Sequence, residues 1–236
     1  MTPATPLRAR DVYRTVGGAG ARFTLVAKQV VVQAGERVAV VGPSGCGKST
    51  LLALLALALR PDGGAELAVA GSDALGLWGQ RDGDGLALLR SRHVGFVPQT
   101  GALLPFLTLR DNISLPLHLQ GRTDPARVAS LAEALGIGTV LDRRPAAVSV
   151  GQRQRAAVAR ALAHRPALVL ADEPTASVHP AQADEVLSLL THAATQDGVA
   201  LVISTHDADR AAAAGYAVAP CQPDGAAALT RFGWPT

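Results

Sequence analysis

Aromatic residues are scarce: Phe, Trp and Tyr together supply 3% of the 236 residues. A surface that stacks successive nucleobases needs interleaved aromatics, so a single-stranded nucleic acid is not the expected partner. Cysteine is almost missing as well. Cys46 and Cys221 are the only two, too few for a disulfide-framed secreted scaffold, and a reducing compartment is the default. Charged residues are only 17%, with a formal net charge of +3. That excess is too mild for a polycation. No apolar run is long enough to cross a bilayer, since the longest, Leu51 to Leu59, is under half of the roughly 20 residues required. The opening "MTPATPLRAR" lacks the apolar core of a signal peptide. A soluble chain is expected, whose membrane role, if any, needs a partner. Hydrophobic residues make up 48%, so disorder is excluded and one domain with a large core is expected.

The pattern along the chain alternates strand and helix. An apolar, β-branched run over 22–33 precedes a turn at "AGE" (34–36) and a buried strand "RVAVV" (37–41). A helical pattern runs from Ser49 to about Leu59, where Pro61, Asp62 and two glycines stop it. "HVGFVPQ" (93–99), "ALVLA" (167–171) and "VALVIS" (199–204) read as strands, with an amphipathic stretch from Pro180 to Ala194 between the last two. Residues from Asp111 to about Arg165 are mostly helical, with breaks expected at Pro116, Gly121, Pro125 and Gly136–Gly138. "GQRDGDG" (79–85) and "AAAAG" (211–215) read as surface connections. Such alternation predicts an α/β fold with a mostly parallel sheet covered on both faces and a helical lobe inserted into it.

Three stretches carry chemistry. "GPSGCGKST" (42–50) matches the G-x-x-x-x-G-K-[ST] phosphate loop between a strand and a helix. Its glycines let backbone N–H groups turn toward phosphate oxygens, Lys48 adds a point charge, and the Ser49 hydroxyl reaches Mg²⁺. Gly42, Pro43, Ser44, Gly45, Cys46, Gly47, Lys48, Ser49 and Thr50 are therefore the expected ATP-binding residues. Cys46 is either a small filler or a thiol whose modification would block nucleotide. "ALVLADEP" (167–174) buries a strand and releases Asp172 and Glu173 at its carboxyl end, where ligands of such sheets bind. Asp172 is the expected Mg²⁺ ligand, and Glu173 polarises the attacking water. "VISTHD" (202–207) puts His206 where a γ-phosphate sensor belongs, and Gln99 can reach both metal and water across the lobe junction. The metal set is then Ser49, Gln99 and Asp172.

A fourth stretch, "AVSVGQRQRAA" (147–157), joins a loop to Arg153 and Arg155 at the start of an Ala-rich helix. Backbone donors plus arginines suit an anion, but the stretch alone does not say which.

In order, these pieces resemble the nucleotide-binding subunit of an ATP-binding-cassette (ABC) transporter, from about residue 7 to about residue 219. "GPSGCGKST" looks like Walker A, Gln99 the Q-loop, "VSVGQRQR" (148–155) the signature, "LVLADE" Walker B, "PTASVHP" (174–180) the D-loop and His206 the switch histidine. The resemblance implies a P-loop NTPase with an antiparallel N-terminal part. It also implies a core lobe over about 1–98 and 166–236, with a helical lobe over about 99–165. It implies ATP and Mg²⁺ as cofactors, and a dimer in which Ser149, Val150, Gly151 and Gln152 contact the ATP of the opposite subunit. Ser177 and His179 would belong to the dimer interface. Partners would be a second cassette, identical or related, and an integral-membrane permease. No nucleic acid is expected, and the chain would sit in the cytoplasm on the inner face of the membrane.

Three positions depart from the pattern. Val150 replaces the first of two glycines, His179 replaces an aspartate, and Val16 stands where an adenine-stacking aromatic is usual, with Tyr13 or Phe23 as substitutes. The segment 90–122 looks most like the ATPases of lipoprotein-releasing and macrolide-exporting systems. Its apolar patch Leu103, Leu104, Pro105 and Phe106 would face the permease. Two rivals remain: a non-transport ABC ATPase, and a regulatory subunit with weak hydrolysis. Gln99 and Ser149 are only about fifty residues apart, too close for the long coiled coil of DNA-repair members.

Overall fold

A computed structural model describes residues 5–18, 21–176, 180–225 and 228–234. Ten strands form one sheet: β1 (Leu7–Gly18), β2 (Ala21–Val32), β3 (Arg37–Val41), β4 (Glu66–Val69), β5 (Ser72–Asp73), β6 (Val94–Val97), β7 (Leu168–Ala171), β8 (Ala200–Thr205), β9 (Ala217–Asp224) and β10 (Leu229–Phe232). Their order is β5-β4-β1-β2-β10-β9-β3-β8-β7-β6. From β9 to β6 the pairs are parallel. β1, β2, β4 and β5 pair antiparallel. The β9–β10 hairpin joins the two regions, since β10 runs antiparallel to β9 and parallel to β2.

The central strands are apolar throughout because both faces are covered. Along β3, Val38 and Val40 enter one core and Ala39 the other; Leu168 and Leu170 separate from Val169 and Ala171 in the same way on β7. That split is the two-residue period of a pleated strand. Helix α1 (Lys48–Leu55) covers the first face with Leu51, Leu52, Leu54 and Leu55. Helices α4 (Leu109–Leu119), α5 (Pro125–Ala134), α6 (Val150–Leu162) and α7 (Pro180–Gln196) share the core on the second face.

Several local expectations need correction. Helix α1 ends at Leu55, not Leu59. Leu57 turns to φ +58°, and the N–H groups of Ala58 and Leu59 both reach back to the Ala53 carbonyl. Arg90 Nη1 then donates to the Leu57 carbonyl at 2.9 Å, satisfying an acceptor the shortened helix frees. Pro116 lies inside α4 rather than breaking it. "GQRDGDG" is not merely a connection: it closes α2 (Ala74–Gln80) and opens α3 (Gly83–His93), capped by Asp73 and Asp82. Most of "AAAAG" belongs to α8 (Ala208–Ala213). The C-terminal stretch forms the β9–β10 hairpin, and Trp234 Nε1 donates to the Val31 carbonyl at 2.9 Å.

Asn112 organises the loop before α4. It is fully buried. Its Oδ1 accepts from Leu104 N at 2.8 Å, and its Nδ2 donates to the carbonyls of Leu104 (3.1 Å) and Thr108 (2.9 Å). Asn112→Ala strands the Leu104 N–H, while the carbonyls of Leu104 and Thr108 keep Leu107 N and residue 112 N as donors, so a stability loss of about 1–3 kcal/mol is expected from urea unfolding.

Candidate functional site: a phosphate loop facing an acidic strand end

The loop between β3 and α1 is shaped by two left-handed glycines, Gly45 at φ +79° and Gly47 at φ +98°. Gly47 occupies the N-cap of α1 and supplies no side-chain cap. By contrast α2, α3, α4, α5, α6 and α8 all carry an Asp, Thr or Ser that accepts from the first turn. The first-turn donors of α1 are thus left for an external acceptor, and an anion is the natural one. Gly42 is required for close packing, because a β-carbon there would lie 2.5 Å from Cys221 Cβ. Cys46 is buried beneath the loop, and the Cys221 thiol donates to its carbonyl at 3.4 Å. Burial and the neighbouring Cys46 thiol push the Cys221 thiol up to about 12. Cys46 therefore belongs to the packing under the loop.

Lys48 is 4% exposed. Its Nζ donates to the carbonyls of Gly42 (2.8 Å) and Pro43 (3.0 Å) and lies 3.5 Å from Glu173 Oε1. Gln99 arrives from the end of β6, its Nε2 donating to Glu173 Oε2 at 3.4 Å. A cation and an amide thus hold opposite oxygens of one carboxylate. Glu173 itself has φ +42°, a conformation that non-glycine residues rarely adopt and that marks functional turns. Asp172, just before it, is 8% exposed. Its Oδ1 accepts from the Ser204 hydroxyl at 2.6 Å, and that hydroxyl also accepts from Glu173 N at 2.9 Å.

Ser204 is the residue that reading "VISTHD" for its histidine overlooks. The signal was present: a hydroxyl inside a fully apolar strand must find partners. His206 stands beyond the end of β8, exposed, and joins none of these bonds. Ser177 and His179 lie outside the described residues.

The segment 149–152 begins α6. Ser149 caps it, accepting from Gln152 N at 3.2 Å while Gln152 Oε1 accepts from Ser149 N at 3.0 Å. Val150 is 46% exposed, and a β-carbon on Gly151 would meet nothing within 4 Å. The two arginines do not line an anion pocket. Arg153 Nη1 donates to the carbonyls of Val148 (2.7 Å) and Pro145 (3.2 Å), and Arg155 Nη1 to that of Leu135 (3.3 Å). Arg153 braces the loop that presents the helix start, and Arg155 ties α6 to the end of α5 and to Glu185 on α7.

The donor set suits Mg²⁺: the Asp172 carboxylate, the exposed Ser49 hydroxyl and the Gln99 amide are hard oxygen groups. Among the described residues no three His, Cys, Asp or Glu cluster into a protein cage. That fits a cation completed by phosphate and water oxygens.

Residues 27–176, spanning every element from β2 through Asp172 and Glu173, match the ABC transporter family. The chain belongs to the ABC transporter family. It is an ATPase cassette of the α/β P-loop type. Among curated relatives it is 45% identical over 182 residues to the lipoprotein-releasing system ATP-binding protein LolD of Anaeromyxobacter dehalogenans, covering 75% of this chain and 74% of that one. It is 44% identical over 190 residues to the uncharacterized ABC transporter ATP-binding protein YvcR of Bacillus subtilis, covering 79% and 71%. In three dimensions it resembles the ATP-binding cassette MJ0796, solved as a dimer in a post-hydrolysis state bound to ADP and Pi. The TM-score is 0.78 at 29% identity, covering 91% of this chain and 93% of that one. Among the described residues no helix is long and apolar enough to cross a membrane.

Proposed function

We infer that this cassette binds ATP with Mg²⁺, dimerises around two ATP molecules and drives a separate membrane permease of the lipoprotein-releasing type. The observation that carries the reading is the meeting of Lys48, Gln99 and Glu173 at one carboxylate beside Asp172. Relatives from Anaeromyxobacter, Rhodospirillum and Novosphingobium that bear the LolD name support the branch.

In this reading the 42–50 loop and Lys48 hold the β- and γ-phosphates. Glu173 accepts the proton of the attacking water, positioned by Gln99, and His206 senses the γ-phosphate. Asp172, Ser49 and Gln99 would hold Mg²⁺, which neutralises phosphate charge when bound. Ser149, Val150, Gly151 and Gln152 face the second cassette, with Ser177 and His179 beside that interface. We read residues of about 1–98 and 166–236 as the core lobe and about 99–165 as the helical lobe. Within the 103–106 stretch Leu103 packs against the core, and the exposed Phe106 supports a permease contact there. A cytoplasmic position on the inner face of the membrane follows from that contact. Purified cassette reconstituted with a permease of the lipoprotein-releasing type is expected to hydrolyse ATP several-fold faster than alone. Equal rates, or stimulation by every permease tried, would count against the branch.

Adenine recognition is reassigned within this reading. Val16 pairs with Phe23 across β1 and β2. A β-carbon at Gly47 would approach the Phe23 ring to 3.3 Å, whereas the Tyr13 ring packs against Gly63. Phe23 is therefore the aromatic beside the nucleotide loop. Phe23→Ala is expected to weaken ATP binding about 5- to 100-fold, the worth of one base stack. Tyr13→Ala should change it less than about twofold, by fluorescence titration of a labelled ATP.

A further inference from the structure

Ser204 lies near the carboxyl end of β8, an interior strand whose six residues are all buried. It is 0% exposed. One hydroxyl there serves two residues with different tasks: it donates to the Asp172 carboxylate and accepts from the peptide N–H of Glu173. The first bond engages Oδ1, so Oδ2 is the oxygen it leaves for a cation. The second bond fixes the peptide at which the chain turns to φ +42° and swings the Glu173 carboxylate between Lys48 and Gln99. The hydroxyl's donor and one acceptor site are both used, so its rotation is locked. The main-chain bond from Asp172 N to the Val97 carbonyl, 2.8 Å, holds the other side of the same turn.

We propose that Ser204 is a positioning residue for ATP hydrolysis, whose buried hydroxyl orients the metal-holding Asp172 and the water-activating Glu173 together. The proposal rests on the roles given above to those two carboxylates. Apolar substitution leaves Asp172 free to rotate and releases the strained peptide of Glu173, while the phosphate loop, built from another strand, is untouched. Partners that orient metal ligands are worth about 10- to 100-fold in metal affinity or activity.

The decisive comparison is Ser204→Thr against Ser204→Val, because the two share a shape and differ in the hydroxyl; Ser204→Ala accompanies them. Three readouts are taken on the full chain: steady-state ATPase, Mn²⁺ binding to the ADP-loaded protein by electron paramagnetic resonance, and melting temperature. Val and Ala are expected to lower kcat by about 10-fold and weaken Mn²⁺ by a similar factor, with the KM for ATP within about twofold. Thr is expected to retain kcat within about threefold. Val turning over as fast as Thr would overturn the proposal, as would a loss confined to KM or one shared by all three variants in step with melting temperature. Glu173→Gln run in parallel separates the two layers. Full turnover in that variant sinks the site reading itself, whereas an inactive Glu173→Gln beside a normal Ser204→Val sinks only the role of Ser204.

Discussion

Glu173→Gln is expected to reduce ATP turnover by about 10²- to 10⁴-fold, the usual worth of a general base, while ATP still binds. The substitution keeps volume and shape. Lys48 remains tied to the carbonyls of Gly42 and Pro43, and the position of residue 173 is held through its backbone by Ser204. What is lost is the negative charge that, in the proposed role, accepts a proton from water. Rapid-mix hydrolysis and equilibrium binding of ATP, measured on the same preparation, check the split. Hydrolysis at the wild-type rate would remove Glu173 from its role.

Gly151→Asp is expected to weaken ATP-driven dimerisation and turnover by about 10²-fold or more while the single chain folds and binds nucleotide normally. The space around Gly151 is open, so the aspartate clashes with nothing in its own chain. A carboxylate in the first turn of α6 even favours the helix, through its dipole. In the proposed dimer the same charge would face the γ-phosphate held by a second cassette and be repelled, and like-charge contact across an interface costs several kcal/mol; about 3 kcal/mol is roughly 10² in affinity. Light scattering of this variant in a Glu173→Gln background, with ATP, reads dimer formation directly. A stable dimer there would show that the 149–152 segment does not meet the partner's nucleotide. An unchanged melting temperature is expected, which separates this loss from misfolding.

Local chemistry made much of the molecule readable in advance. The phosphate loop announces itself because its glycines and lysine must recur at fixed spacing to surround a phosphate. The strands "RVAVV", "ALVLA" and "VALVIS" stand out because a sheet covered on both faces leaves almost no polar positions in them. Ser149 followed by Gln152 is a helix start that a capping box makes legible. Errors fell where a distant partner outweighs local preference. The early end of α1 is stabilised by Arg90, which takes no part in the local helical pattern but reaches the Leu57 carbonyl from α3.

The sequence by itself determined the class of fold and the positions of the phosphate loop, the acidic strand end and the capped helix start at Ser149. Those depend on short-range spacing and hydrophobic period, which a linear string carries. Only the tertiary structure decided that Lys48, from the start of α1, and Gln99, Glu173 and Ser204, from the ends of three different strands, form one bonded cluster, and that Phe23 rather than Tyr13 sits at the loop. Such meetings depend on the sheet order β3-β8-β7-β6 and on cross-strand register, which arise from the global burial of two cores and are written in no single segment.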